Sequence, residues 1–265
     1  MYSRFQSALK YLHYYLTASN GKGHGIHSPF VYKFIKDVLN DSRHFKAYDI
    51  VEELRKRMLQ DQGVIDVEDF GAGSAVSKTN LRSIASIAKN AAKPKKYGQL
   101  LFRIINYYKP QTILELGTSL GITTAYLASA NSGAKVMTME GSGTIANIAK
   151  ENFKTLELKN TELIEGNFDQ TLSSVISQLS SVDFAFIDGN HRREPTERYF
   201  KQLLPILQND SILVFDDIHW SEEMEEAWKN IKEHPAVRCS IGLFFIGIVF
   251  LKEEFKEKQH FTIRF

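Results

Sequence analysis

Apolar positions follow two rhythms along this chain. Up to about residue 95 they recur at helical spacing. Phe5, Leu9, Leu12 and Leu16 predict a helix within the first 20 residues. Ser28-Pro29 reads as a helix cap followed by proline at the first helical position, with Phe30, Phe34, Ile35 and Val38 behind it. Further helices are expected over 50–59 and 80–92, and nothing here alternates as strands do; the run 64–68 is interrupted by Asp66 and Glu68. A helix over 97–107, with Leu100, Leu101, Ile104 and Ile105 inward, then leads through Lys109-Pro110 into a different rhythm. Short apolar runs now alternate with helical stretches. Strands are expected at 113–116, 136–139, 161–164, 182–187 and 211–215, with helices over 122–130, 145–153, 172–179, 195–207 and 224–231 between and after them. The runs 237–241 and 245–251, joined near Gly242, form a final antiparallel pair, and 261–265 offers a short edge strand.

Repeated strand–helix units predict an α/β, Rossmann-like, doubly wound and mostly parallel sheet of seven strands whose last strand is antiparallel. A helical N-terminal extension, 1–95, precedes the sheet domain, 96–265, and is expected to cap its substrate side.

Composition changes this picture little. Hydrophobic residues at 43% suffice for a core, and 33 basic against 31 acidic residues leave a formal charge of +2, which does not favour nucleic acid or an acidic membrane as partner. Residues 1–48 carry seven Lys or Arg, two acids and four His, a mildly basic start that a solvated surface explains. The single Cys239, in an apolar setting, excludes a disulfide framework and reads as a small core residue. The N-terminus lacks the continuous apolar run of a signal peptide, and the stretch 241–251 is too short to span a bilayer, so a cytoplasmic protein is expected. The aromatic-rich ends make a homodimer plausible.

Chemistry concentrates where strands end. TILELGTSLGITTAYL, 112–127, reads as strand, glycine turn and helix; Gly117 and Gly121 allow a ligand close to the backbone, and the helix start offers N–H groups to a carboxylate or phosphate. Glu115, Glu140, Asp188, Asp216 and Asp217 all fall at strand ends, the rim at which such sheets bind ligands. Glu140 suits a ribose diol, or else a helix cap. The glycines are four apart with Ser119 between them, which is not the dinucleotide fingerprint, so a nucleoside with a carboxylate fits better than a nicotinamide cofactor. Asp216-Asp217 sets two like charges side by side, unfavourable without a cation, although an acid at a strand end also caps helices. A second glycine-rich stretch, DFGAGS at 69–74, reads as a plain turn or as a lid hinge.

ELGTSLG followed by Glu140, Asp188 and Asp216-Asp217 resembles class I S-adenosylmethionine-dependent methyltransferases, and among them the metal-dependent O-methyltransferases of the catechol type. The resemblance covers about 96–251, including the lead-in KYGQLLFRI; separately, HGIHSPFVY resembles a feature of some bacterial methyltransferases. It implies that Gly117, Thr118 and Gly121 hold the methionine part of S-adenosyl-L-methionine, that Glu140 takes the ribose hydroxyls, and that Gly141, Asn167 and Phe168 border the adenine. The same resemblance implies Glu115, Ser119 and Asp188 as further residues of that cofactor pocket. Asp188, Asp216 and Asp217 are implied to hold a divalent cation, Mg2+, a hard ion suited to oxygen ligands. The catechol enzyme has Asn where this chain has Asp217, and Lys where it has His191. An imidazole there can be a general base with Asp188 beside it, a metal ligand or a solvent-facing loop residue. His219 and Trp220 either wall the substrate pocket or pack. The reaction implied is methyl transfer to a hydroxyl oxygen of a small molecule. The rivals are a metal-independent methyltransferase acting on nitrogen, RNA or lipid, and a non-catalytic binding module.

Overall fold

Ser3 opens the first helix through a capping box: its hydroxyl accepts from the Gln6 N–H, and the Gln6 side chain accepts from the Ser3 N–H. The computed structural model describes residues 1–68 and 80–265. DFGAGS, 69–74, lies outside the described residues. The chain divides into two units, Met1–Asp41 with Leu179–Phe265, and Ser42–Gln178.

Helix α1, Arg4–Thr17, belongs to the first unit. Its apolar stripe does not face the core. Tyr14 on the opposite side is the residue it buries; the phenol donates to the Ile263 carbonyl at 2.5 Å, and burial pushes its pKa up to about 12. Helix α2, Pro29–Phe34, begins at Ser28 as expected, but the serine side chain makes no capping bond, and Ile35–Leu39 continues as a π-turn.

In the second unit, α3, Lys46–Gln60, is followed by β1, Val64–Asp66, and β2, Leu81–Ser83, which pair antiparallel. This short ribbon corrects the expectation of a strand-free N-terminal region. Its residues are largely exposed, so it lacks the alternating burial that makes a strand visible in sequence. Helices α4, Ile84–Asn90, and α5, Lys95–Tyr108, lead to β3, Thr112–Leu116. Then come α6, Ile122–Ala130, β4, Lys135–Glu140, α7, Gly143–Thr155, β5, Thr161–Glu165, and α8, Phe168–Ser177. β3, β4 and β5 are parallel neighbours in register, Leu116 beside Met139 and Glu140 beside Glu165. Ile113, Leu114 and Leu116 are fully buried, each contributing about 1.5–3 kcal/mol by leaving water. The close approach of α5 to α6 depends on Gly98, where a Cβ would sit 2.6 Å from the Tyr126 ring. The Tyr126 hydroxyl donates to Glu52 at 2.7 Å, and burial together with that acid raises its pKa.

The first unit resumes with β6, Val182–Ile187, α9, Arg193–Leu203, β7, Leu207–Asp216, α10, Glu222–Glu233, β8, Cys239–Gly242, β9, Ile246–Phe250, and β10, Gln259–Thr262. β6 and β7 are parallel, β9 is antiparallel to both β7 and β8, and β10 joins β8 in parallel as the edge. The expected antiparallel pair is present. Among the described residues, and apart from the β1–β2 ribbon, the strands of this Rossmann-like α/β fold number eight rather than seven: β6–β10 in this unit and β3–β5 in the other. Cys239 is buried, its thiol pushed up to about 12 by desolvation. Among the described residues no helix is long and apolar enough to cross a membrane.

Candidate active site

β3 ends inside the protein, and its last turn is fixed by a buried carboxylate. Glu115 is fully buried; one of its oxygens accepts from the hydroxyls of Thr124 on α6 at 2.5 Å and of Thr138 on β4 at 2.6 Å, and Thr138 in turn contacts the Thr118 hydroxyl at 2.6 Å. Glu115 and Thr118 thus tie strand, turn and helix together from beneath.

The turn has little freedom left. Gly117 and Thr118 donate their N–H groups to the Met139 carbonyl at 3.0 Å, and Gly121 donates to Thr118 at 2.9 Å. Gly117, Ser119 and Gly121 have φ of 108°, 48° and 78°, a left-handed path that glycine accepts without strain. At Gly121, the cap of α6, a Cβ would lie 2.4 Å from the Phe153 ring. Gly121→Ala is therefore expected to lower the melting temperature by several degrees, a loss of about 2 kcal/mol or more, in a thermal unfolding scan.

Glu140 closes β4 beside this turn. One carboxylate oxygen accepts from the Ser119 N–H at 2.8 Å and the other from the Ser142 N–H at 3.0 Å, so its orientation is set before any ligand arrives. The Glu140 carbonyl accepts from Gly166 at 2.9 Å, joining this end of β4 to the end of β5. There Asn167 caps α8 through its side-chain oxygen, which accepts from Asp169 at 2.9 Å, while Gly141 and Phe168 are half-buried. The second unit therefore gathers Gly117, Ser119, Gly121, Glu140, Gly141, Asn167 and Phe168 at the carboxyl ends of β3–β5, with Glu115 and Thr118 supporting them from inside.

The other predicted residues stand in the first unit, after β6 and β7. Asp188 follows β6, and Asn190 and His191 adopt φ of 69° and 46° in succession, curling the chain so that His191 Nε2 lies 3.4 Å from Asp188 Oδ1. Asp216 ends β7 almost fully buried. Donor atoms of Asp188, His191 and Asp216 all lie within 4.8 Å of one another. The group so formed takes His191, and not Asp217, beside the two aspartates. Asp217 has left the strand conformation at φ 51°, and its carbonyl accepts from Trp220. Two carboxylates and an imidazole suit a divalent cation; the oxygens favour a hard ion, and the nitrogen widens the choice.

Sequence reasoning missed a second polar cluster in this unit. The Glu225 carboxylate accepts from Tyr2 at 2.8 Å and Lys10 at 2.9 Å, and lies 2.7 Å from His219 Nδ1. Burial would raise the Glu225 carboxyl, but the hydrogen bonds from Lys10, Tyr2 and His219 together hold it below its ordinary value. Burial lowers the pKa of His219, against the pull of Glu225, and the ring stacks on Phe244 with centroids 5.2 Å apart. Glu225 lies in the acid-rich run SEEMEEAW, where nothing local marks it out from Glu222, Glu223 or Glu226. Trp220 is half-buried with its ring 5.6 Å from that of His191, so it borders the group formed by Asp188, His191 and Asp216.

Residues 114–218, from within β3 to just beyond β7, match a family of methyltransferase domains. Over those residues the chain is similar to a methyltransferase domain. No curated protein matches the chain. Solved methyltransferases share its fold. The SAH-bound methyltransferase of Podospora anserina is 16% identical with a TM-score of 0.59, over 85% of this chain and 97% of that one. The O-methyltransferase of Bacillus cereus, in complex with SAH, is 18% identical with a TM-score of 0.55, over 83% and 97%. The O-methyltransferase TomG of Streptomyces achromogenes, in complex with SAM and involved in tomaymycin synthesis, is 16% identical with a TM-score of 0.54, over 62% and 82%.

Proposed function

We propose that this protein is a class I S-adenosylmethionine-dependent methyltransferase that moves the cofactor's methyl group to a hydroxyl oxygen of a small-molecule acceptor, with a divalent cation held by Asp188, His191 and Asp216. The observation that carries the oxygen-and-cation part of this reading is the mutual approach of those three side chains' donor atoms within 4.8 Å. Two acids brought this close to each other are unfavourable unless a positive charge joins them. The O-methyltransferases of matching fold lend the acceptor class further support.

The sulfonium donor supplies an electrophilic methyl. Glu140, with each oxygen already oriented by one backbone N–H, accepts the ribose hydroxyls, and the N–H groups of residues 122–124 at the start of α6 receive the amino-acid carboxylate. Gly117 and Gly121 keep side chains out of the space beside that turn. A divalent cation held by Asp188, His191 and Asp216 would supply Lewis acidity toward the acceptor hydroxyl. Mg2+ fits the oxygen donors, and the imidazole extends the range toward Mn2+, Fe2+ and Zn2+. With Nε2 turned toward Asp188, ligation is the role assigned to His191 here, in preference to that of general base. Trp220, beside that ring, gives the acceptor a flat apolar wall.

The test is an S-adenosylhomocysteine-release assay over a panel of phenols, vicinal diols and amines, run with chelator and then with added Mg2+ or Mn2+. Turnover of hydroxyl acceptors should disappear with chelator and return with the metal. Turnover indifferent to chelation points to the metal-independent rival, and donor binding without transfer to any acceptor points to a binding module.

A further inference from the structure

α1 is held to its own unit by one face only. Tyr14 and Ala18 are buried against Phe244, Lys10 pairs with Glu225 at 2.9 Å, and Tyr2, just before the helix, donates to the same carboxylate. The opposite face carries the residues whose spacing predicted the helix, and they are exposed: Phe5 73%, Leu9 51%, Leu12 53% and Leu16 70%. Their intervals of four, three and four residues are those of d, a, d and a positions in a heptad, and in that register Tyr14 falls at f, directly opposite the seam. Ala8 and the half-exposed Tyr15 flank the seam on one side, and Gln6 and His13 on the other. The helix contains no acid.

We propose that this seam is covered by α1 of a second copy of the chain. Charge and area single out that occupant. A helix lying in a bilayer surface carries a strongly cationic polar face. The helix has two cationic residues besides His13, Arg4 and Lys10, and Lys10 is already engaged by Glu225. A second copy brings the same uncharged stripe, so the pair buries no charge. Phe5, Leu9, Leu12, Leu16 and Tyr15 offer on the order of 500–600 Å² per copy, so about 1,000–1,200 Å² for a two-fold pair, the lower edge of a specific interface. The helix is already ordered by its cap and by Tyr14, so association does not have to order it. An antiparallel pair sets opposed helix ends side by side and seats Phe5 of one copy against Leu16 of the other. The interface is independent of the reaction proposed above.

The test is sedimentation velocity of the full chain from roughly 1 to 100 µM, the range in which so small an interface dissociates. The parent should be a dimer at the upper end. Leu9→Glu/Leu12→Glu, at exposed positions, should remain monomeric throughout, a weakening of at least a hundredfold, while retaining the parent's circular dichroism and S-adenosylhomocysteine affinity. A parent that stays monomeric at 100 µM overturns the proposal. So does a dimer unchanged in the double variant, or a monomeric parent that cosediments with phosphatidylglycerol vesicles through this face.

Discussion

Glu140→Ala is expected to bind S-adenosylhomocysteine about a hundredfold more weakly than the parent, because two charge-assisted hydrogen bonds to the ribose diol are lost at about 1.5 kcal/mol each. The structure gives this residue unusual leverage. Its carboxylate closes β4 and is oriented at both oxygens, by Ser119 at 2.8 Å and Ser142 at 3.0 Å, so it meets a ligand without reorganising. The alanine variant also releases the Ser119 N–H, which loosens the glycine turn. Glu140→Gln separates the two effects: the amide keeps the size and one acceptor but loses the charge, and should fall between parent and alanine. Calorimetric titration of the three proteins with S-adenosylhomocysteine reads the outcome. An alanine variant that binds like the parent would remove Glu140 from the ribose.

Asp216→Ala is expected to separate binding from transfer. Donor binding should stay within about twofold of the parent, since β3–β5 carry the residues assigned to the nucleoside. Mn2+ affinity, followed by paramagnetic resonance of the free ion, should fall at least tenfold. Turnover should fall on the order of a thousandfold, the equivalent of several kcal/mol of lost stabilisation at the reacting oxygen. Asp216 is almost fully buried, so Asp216→Asn, of the same shape, is the companion that guards against misfolding. Unaltered Mn2+ binding in both variants would sink the cation reading, whatever happened to turnover.

The two positions differ in how far sequence alone could reach them. The acids at 140, 188 and 216 stand out because each ends an apolar run, and in a parallel strand such a run is long enough and distinct enough to be read directly. Glu115 stands in the same sequence context, yet it serves the interior, tied to Thr124 and Thr138. The difference is direction. Side chains alternate across a sheet, and one residue earlier along β3 the carboxylate turns from the rim into the layer against α6. His191 and Asp217 make the same point. Both lie in turns with positive φ, where a side chain's direction follows from backbone torsions that sequence spacing does not encode. The acid pair therefore reads as two equivalent ligands, whereas the folded chain brings the imidazole to Asp188 and Asp216.

Patterning and strand-end chemistry determined by themselves the α/β class, the glycine turn, the antiparallel final pair and the acids at strand ends, because these rest on local periodicity and on residue types that only certain backbone positions accept. Only the tertiary structure decided which of those acids face inward, that Glu225 gathers Tyr2, Lys10 and His219, and that β1 and β2 pair despite their exposure. It also decided that the apolar stripe of α1 faces away from the core while Tyr14 anchors the helix. Amphipathic spacing states that a helix has an apolar face; which way that face turns depends on partners hundreds of residues away.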